Sequence, residues 1–346
     1  MAGCQTQFNA FHDTIKLKEE DEILRSKRDI ILEKIKEKLK DETSYPFEVF
    51  NQGSYAMRTG IKPLDSDYDI DMGLYFVMSK DDVDPITAKN WIYNALKDHT
   101  KSVKIKNPCV TVSYEDGYHV DVTVYAANNP DGKVYLAKGK PTSCAEDKKW
   151  DESNPKDLIQ EVREHLTDEE DRKQFRRVVR YLKRWKDVNF SSVNGKPTGI
   201  ALTSCAYHWL TIQKDTNAFS GCSTYRDLDA LFKLVVSMNN YYVLEYVEVD
   251  GQYQLMPRLR VNLPVEPRPE LFEKMTPKQM KTFKEKLESF LTALQTAIYE
   301  PDPTDAAEIL RKQFGDDFPV PPKPSTGKKA MAAAVIPSSE SAVEGF

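Results

Sequence analysis

The order of apolar and polar positions makes the first part of the chain a mixture of helices and strands. Residues 13 to 40 carry apolar side chains at helical spacing among Lys and Glu, which predicts one long helix packed on the domain that follows. Alternating apolar positions predict strands at 46 to 51 and at 68 to 77. A second helix is predicted at 85 to 99.

Two further alternating runs predict a β-hairpin, and the rest of the chain is mostly helical. Residues 109 to 114 and 118 to 125 flank Glu115-Asp116-Gly117, and Asp-Gly supplies the positive φ of a tight turn. After a polar connection at 128 to 150, helical patterns and capping residues predict the following helices: one from residue 154, then 167–187, 198–213, 225–238, 277–299 and 304–314. A small hairpin is expected at 242 to 256.

Composition bounds the class of protein without identifying it. The chain has 346 residues, 40% of them hydrophobic, and a net charge of −5. No apolar run is long enough to span a bilayer and no secretory signal is recognisable, so we expect no membrane association and a cytoplasmic location. Five scattered cysteines without a C-x-x-C pair predict free, buried thiols. The net charge argues against coating of long nucleic acid but leaves room for small phosphate ligands.

Three aspartates on predicted strands are the main candidates for chemistry. Asp69 and Asp71 are separated by one apolar residue, so both point to the same face of their strand, and Asp121 lies on a later β-branched strand. Neighbouring carboxylates repel one another, and a shared cation relieves that repulsion. Mg²⁺ prefers carboxylates, water and phosphate oxygens as ligands. The pattern therefore predicts a site for Mg²⁺, with an ordinary solvated acidic loop as the alternative.

A Gly-Ser turn and a basic helix supply the parts that a nucleotide triphosphate needs. Gly53 lets the backbone approach phosphates closely, and Ser54 offers a hydroxyl and an amide as donors. Lys183 and Arg180 lie on a predicted helix with an apolar face and a basic stripe. Two Mg²⁺ ions held by the aspartates would activate a hydroxyl and neutralise the triphosphate. The combination predicts nucleotidyl transfer without a covalent intermediate.

Several sequence segments together resemble one family of enzymes. Gln52-Gly53-Ser54, Tyr68-Asp69-Ile70-Asp71 and His119-Val120-Asp121 resemble motifs of the polymerase β superfamily of nucleotidyltransferases. The segment from Val179 to Asp187 extends this resemblance, which covers about residues 45 to 215. Over that range the chain resembles the bacterial cGAS/DncV-like nucleotidyltransferases (CD-NTases) of CBASS anti-phage operons, and among them the DncV-type dinucleotide cyclases.

The resemblance implies an α+β fold with two lobes and the active site in the cleft between them. It implies a nucleotidyltransferase core at 1–165, which includes the long N-terminal helix predicted above, and a C-terminal helical domain at 166–316. The composition beyond Asp317, mostly Pro, Lys, Ala and Ser, predicts a disordered tail at 317–346. The implied catalytic and metal-binding residues are Asp69, Asp71 and Asp121. The implied nucleotide-binding residues are Gln52, Gly53, Ser54, Tyr55, Arg180, Lys183 and Thr203.

The resemblance also implies a reaction and a set of partners. ATP and a second nucleoside triphosphate, often GTP, would be joined with two Mg²⁺ ions, or Mn²⁺, and then cyclised in the same site. The cyclic dinucleotide would activate an effector protein in antiviral defence. E1/E2-like and isopeptidase proteins are implied as partners through the C-terminal tail, although this tail ends in Phe346 rather than in a small residue.

Three other functions remain open on the sequence alone. A linear oligonucleotide synthase or template-independent polymerase would use the same carboxylates, but a tailing enzyme should carry a basic surface for RNA. A catalytically silent nucleotide-binding scaffold would be favoured by a broken aspartate triad. A nucleotidyltransferase that modifies aminoglycosides would need an acidic acceptor pocket, whereas the basic stripe from Arg176 to Lys183 favours phosphates.

Overall fold

The structure is a computed structural model and describes residues 4–17, 19–65, 67–190 and 195–323. Within these ranges, no helix has the length and apolar character needed to cross a bilayer. The five cysteines are all free thiols, as predicted, but the prediction that they are buried is wrong for Cys144 and Cys222, which are exposed. The end of the predicted tail, including Ala342 to Phe346, lies outside the described residues.

A mixed sheet forms the centre of the first lobe. Its main strands are β1 (Phe47–Gln52), β2 (Tyr68–Phe76), β3 (Ser102–Ile105), β4 (Val110–Ser113) and β5 (Tyr118–Ala126). Their order across the sheet is β1-β2-β5-β4-β3. Strands β2 and β5 are parallel, while β1–β2, β4–β5 and β3–β4 are antiparallel. The predicted hairpin is confirmed as β4 and β5, with Gly117 at φ +82° in its turn.

Two strands that the sequence analysis missed extend this sheet beside the end of β5. They are β6 (Tyr135–Lys138) and β7 (Lys149–Glu152), in the region expected to be a polar connection. Strand β6 pairs with β5, and β7 pairs with β6. The two strands are short, and polar side chains interrupt their alternation, so their pairing with β5 determines them more than their own pattern does.

The predicted helix at 13–40 is two helices that pack on different parts of the molecule. Helix α1 (Gln5–Ile15) ends where Lys16 adopts extended backbone and bridges to Ile61, and α2 (Glu19–Lys38) follows. Helix α2 lies on the sheet with α4 (Pro85–Leu96), and the one-turn helix α3 (Gly53–Ala56) follows β1. A tertiary contact therefore overrides the helical periodicity at this point.

The second lobe is a bundle of helices, as predicted. Asp168, Thr198 and Thr276 cap three of the helices with their side chains. The helices are α5 (Pro155–Glu164), α6 (Glu169–Asn189), α7 (Gly199–Trp209), α8 (Asp227–Asn240), α9 (Pro277–Tyr299) and α10 (Pro303–Phe314). Two small antiparallel pairs complete the lobe, β8 (Lys214–Thr216) with β9 (Ser223–Tyr225), and β10 (Val243–Val249) with β11 (Gln252–Arg258).

The hydrophobic cores correct the predicted domain boundaries. The first core lies between the sheet and helices α2 and α4, whereas α1 and Val162 of α5 belong to the core of the helical bundle. Assigning residues 1–165 to one domain is therefore wrong for α1 and for part of α5. The tail is also predicted to begin too early, because Phe318 is fully buried in the helical core.

Candidate active site

The register of β2 and β5 brings the three predicted aspartates to one face of the sheet. In this parallel pair Asp71 lies opposite Asp121, and Asp69 lies opposite His119. Asp69 and Asp71 share a face because they are two residues apart on a strand. All three carboxylates line a cavity of about 780 Å³, which we call the acidic cleft. The buried residue Ile70 anchors the strand from the opposite face.

Gly53 adopts a conformation and occupies a space that only glycine accepts. Strand β1 ends at Gln52, which pairs with Asp71 in the sheet, and Gly53 follows with φ +66°. A Cβ atom at Gly53 would lie 1.8 Å from Oδ2 of Asp71. The turn thus packs directly on the carboxylate. Helix α3 begins here but has only four residues, so its dipole adds little to anion binding.

Burial, and then the charges of neighbouring carboxylates, raises the pKa values of Asp69 and Asp71. Burial first, and then the charges of Asp121 and Asp69, raise the pKa of Asp71 to about 7. The pKa of Asp69 rises to about 6, chiefly through desolvation and then through Asp121 and Asp67, although solvent reaches this side chain and screens part of the repulsion. Both burial and repulsion thus disfavour the charged forms of these two carboxylates, and a cation in the cleft would stabilise them.

Two polar side chains that the sequence analysis did not single out as positioning groups fix the site. Thr111 lies on β4, directly opposite Asp121 of β5, and its hydroxyl donates a hydrogen bond to Oδ1 of Asp121. The hydroxyl of Tyr125 donates to Oε1 of Gln52 at 2.9 Å. The register of the predicted hairpin contains the signal for Thr111, because that hairpin pairs it with Asp121.

Lys183 reaches the acidic cleft from helix α6. Its side chain is 6% exposed, and its Nζ donates to the carbonyl and the hydroxyl of Thr59, both at 3.1 Å. Burial, followed by the charges of Lys186 and Arg180, lowers the pKa of Lys183 to about 7. The structure therefore brings Gln52, Gly53, Ser54, Lys183 and the three aspartates together in one cavity.

The structure does not bring Arg180, Tyr55 or Thr203 to the acidic cleft. Arg180 donates to the carbonyls of Arg58 at 2.6 Å and Gly60 at 3.0 Å, on another side of the loop that Lys183 contacts. The hydroxyl of Tyr55 accepts from Arg25. Thr203 is fully buried and donates back to the carbonyl of Gly199 within α7. Its side chain is thus committed to its own helix.

Segments outside the recognised sequence motifs also line the acidic cleft. Lys138 on β6 and Asp151 on β7 form an ion pair there. The cleft also has an apolar wall, and its lining residues are Leu136, Leu158, Ile200, Leu263, Pro267 and Pro269. Only the folded topology joins these segments, so the sequence could not place them together.

The three aspartates fit a cation that arrives with a phosphate-bearing substrate better than a closed metal cage. Within the described ranges, no group of three or more His, Cys, Asp and Glu side chains forms a preformed metal site. One oxygen of Asp121 is already bound by Thr111. Mg²⁺ typically uses one or two carboxylates and completes its coordination with water and phosphates. The donor chemistry and the raised pKa values of Asp69 and Asp71 suit such an ion.

Comparison with known proteins identifies the domain that carries these residues. Residues 47–125 match the family model described as cyclic GMP-AMP synthase DncV-like, nucleotidyltransferase domain. These residues are therefore similar to a DncV-like nucleotidyltransferase domain. The matched segment contains Gly53 and all three aspartates, and it confirms the family resemblance predicted from the sequence.

Known proteins match this chain in sequence and in structure. A cyclic GMP-AMP synthase from Escherichia albertii is 29% identical over 181 residues, which are 49% of this chain and 39% of the relative. The crystal structure of the Vibrio cholerae DncV cyclic AMP-GMP synthase has a TM-score of 0.65 and 16% identity, covering 90% of this chain and 96% of that one. Escherichia coli DncV with bound 3'-deoxy GTP has a TM-score of 0.63 at 15% identity, over 88% and 93%.

The structural likeness confirms the predicted fold class. At these identities it shows the shared fold, which comprises a mixed sheet with helices and a helical second lobe. The sequence match spans 39% of the length of the curated relative. The chain thus has the fold of these solved structures.

Proposed function

We propose that this protein is a cyclic dinucleotide synthase that joins two nucleoside triphosphates by two successive metal-dependent nucleotidyl transfers, each releasing pyrophosphate. The main support for this proposal is that Asp69, Asp71 and Asp121 line one cleft. Gly53 and Lys183 line the same cleft. Negative and positive groups thereby line one cavity, which would suit a triphosphate bound with metal ions. Catalysis would rest on positioning and charge compensation.

Each part of the site has a role in this reaction. Asp69, Asp71 and Asp121 would hold Mg²⁺, or Mn²⁺, and when bound such ions neutralise phosphate charge and favour deprotonation of the attacking hydroxyl. Thr111 fixes the orientation of Asp121 through its hydrogen bond. Gly53 would let phosphates approach the backbone closely, and Lys183 would add positive charge in the same cleft.

The size of the acidic cleft and the similar proteins support two nucleotide substrates, ATP with a second nucleoside triphosphate such as GTP. Its volume of about 780 Å³ lies in the upper part of the range of small-molecule sites. The Escherichia albertii relative is named a cyclic GMP-AMP synthase, and Vibrio cholerae DncV was solved with the linear intermediate 5' pppA(3',5')pG. The apolar wall offers surface for a base but does not select between bases.

The wider role follows from the family resemblance. A cyclic dinucleotide made here would act as a second messenger in CBASS antiviral defence, in the cytoplasm, and would activate an effector. E1/E2-like and isopeptidase partners would act on the C-terminal tail, whose residues 324–346 lie outside the described ranges.

Product analysis tests the proposal against its alternatives. The purified chain is incubated with pairs of labelled nucleoside triphosphates and Mg²⁺, and the products are treated with phosphatase and read by mass spectrometry. We expect a phosphatase-resistant dinucleotide, lost in Asp69→Ala with Asp71→Ala. A ladder of phosphatase-sensitive products would indicate a linear oligonucleotide synthase instead. Absence of any product from an intact wild-type fold would indicate a silent nucleotide-binding scaffold.

A matched variant controls for the removal of charge. Asp250→Ala with Asp316→Ala also removes two carboxylates, but both are exposed surface groups paired with Lys278 and Arg311. This control should form product at the wild-type rate. Equal rates from the cleft variant and the wild type would contradict the assignment of the site.

A further inference from the structure

A second large cavity lies beside the acidic cleft and has the opposite charge. It has a volume of about 960 Å³ and lies between α1, α2, the turn after β1, α5 and α6. Eight Arg and Lys side chains line it, against one carboxylate, Asp13. We call it the basic pocket. It shares only Ile159 with the lining of the acidic cleft. Such a concentration of positive charge is unexpected in a chain with a net charge of −5.

Part of the positive charge of the basic pocket is not balanced by neighbouring carboxylates. Arg176 pairs with Glu169, and Arg177 pairs with Asp227, both at 2.6 Å. In contrast, the exposed side chains of Lys16, Arg58 and Arg163 form no ion pair with any carboxylate of the described residues. These three exposed cations line the pocket and are available to an incoming anion.

The floor of the basic pocket contains a buried guanidinium with no carboxylate partner in the part of the chain that the structure describes. Arg180 is 7% exposed and donates to two carbonyls and towards Nε2 of His12, at 3.0 Å. Burial, and then the charge of Arg176, lowers the pKa of Arg180 to about 10. Burial and the charge of Arg180 lower the pKa of His12 to about 4, so His12 is neutral and adds no charge. A buried charge without a counter-charge is costly, and a bound anion would supply one.

We propose that the basic pocket is a binding site for a phosphate-bearing anion of about nucleotide size, separate from the acidic cleft. Guanidinium groups bind phosphate oxygens through paired hydrogen bonds, and Arg58, Arg163 and Arg180 provide three of them around one concavity. A concave surface of one charge sign raises the local concentration of oppositely charged ligands. The volume fits a small molecule.

Calorimetric titration without divalent cations isolates this site from the acidic cleft. In resin-treated, metal-free buffer the cleft carboxylates repel polyphosphates, so binding reports on the basic pocket. The probes are sodium tripolyphosphate and ATP, titrated into the full chain at low ionic strength. We expect saturable binding of tripolyphosphate that weakens as salt is raised. Tighter binding of ATP than of tripolyphosphate would identify a nucleotide, and equal binding would identify the phosphate chain alone.

Charge-matched variants locate the binding. Arg58→Glu with Arg163→Glu should weaken tripolyphosphate binding by about tenfold or more, which corresponds to about 1.4 kcal/mol. Lys101→Glu with Lys278→Glu makes the same change in net charge at exposed residues outside the pocket, and should leave the affinity within about twofold of wild type. Circular dichroism confirms the fold of both. The milder pair Lys16→Gln with Arg163→Gln, which leaves the turn after β1 intact, should also weaken binding.

Three results would overturn the proposal. One is the absence of binding of both probes to wild type. Another is equal weakening in the pocket and control variants, which would show only a general charge effect. The third is binding of a single-stranded RNA of about twelve nucleotides without binding of tripolyphosphate, which would indicate an extended nucleic-acid surface rather than a compact anion site.

Discussion

Replacing Gly53 with alanine tests the site through one methyl group. The backbone of Gly53 has φ +66°, a conformation that L-residues rarely adopt. The added Cβ would lie 1.8 Å from Oδ2 and 2.7 Å from Cγ of Asp71. Gly53→Ala therefore combines a backbone strain with a collision against one of the proposed metal ligands.

The two effects have different expected magnitudes. The left-handed conformation costs an alanine about 1–2 kcal/mol of stability. Since real Cβ atoms essentially never approach within 3.0 Å of another heavy atom, the Asp71 oxygen must move by about 1.2 Å. A misplacement of about 1 Å in a catalytic group can lower a rate by about 10²-fold. We therefore expect a modest loss of stability and a loss of about two orders of magnitude in nucleotidyl transfer.

Gly132→Ala separates the collision from the strain. Gly132 has φ +72°, and a Cβ there would meet nothing within 4 Å. Urea denaturation should show a similar loss of stability in both variants, while initial rates of pyrophosphate release should fall only in Gly53→Ala. A Gly53→Ala protein with nearly wild-type rates would refute the close packing of this turn on Asp71. Equal loss of activity in both variants would refute the role assigned to the collision.

Three further predictions concern charges that the fold holds in unfavourable surroundings. Because the pKa of Asp71 is raised to about 7, the folded protein keeps a proton that the unfolded chain releases, so the stability of the metal-free protein should fall as pH rises from near 3.8 through 7. Asp71→Asn should flatten this decline in thermal melts, and an unchanged slope would contradict the prediction. Lys183→Met should keep the side-chain volume but remove the ammonium group, and should raise KM for nucleoside triphosphates by about tenfold in steady-state assays. An unchanged KM would exclude contact between Lys183 and the phosphates. Lys89 is fully buried and donates to three carbonyls at 2.5–2.8 Å. Lys89→Met should therefore lower the free energy of unfolding, measured by urea denaturation, by about 2–4 kcal/mol. An unshifted midpoint would show that those carbonyls find other donors.

Local patterns predicted most of the secondary structure but not its assembly. The alternation at 68–77 and the Asp-Gly turn at 116–117 correctly predicted β2 and the β4–β5 hairpin. Nothing in either segment shows that β2 and β5 are parallel neighbours, because that pairing depends on the connection between them. The break at Lys16 was likewise hidden, since it depends on a bridge to Ile61 from another segment.

The site was predictable where it depends on strand alternation and was not where it depends on the rotation of a helix. The spacing of Asp69 and Asp71 fixes their common face whatever surrounds the strand. Arg180 and Lys183 are three residues apart on α6 and point in directions about 60° apart. That difference sends Lys183 to the acidic cleft and Arg180 to the basic pocket. The apolar wall, built partly by Leu263 and Pro267, has no local signal at all.

The position of α1 decides how the chain can be divided. The ring of Phe8 packs against those of Tyr181, Phe314 and Phe318, and the hydroxyl of Tyr181 donates to the Phe8 carbonyl. Helix α1 thereby packs in the same hydrophobic core as helix α10. A fragment expressed from residue 166 onward would leave this aromatic cluster open to water, and trimming the N-terminus would loosen the helical lobe before it disturbed the sheet that carries the aspartates.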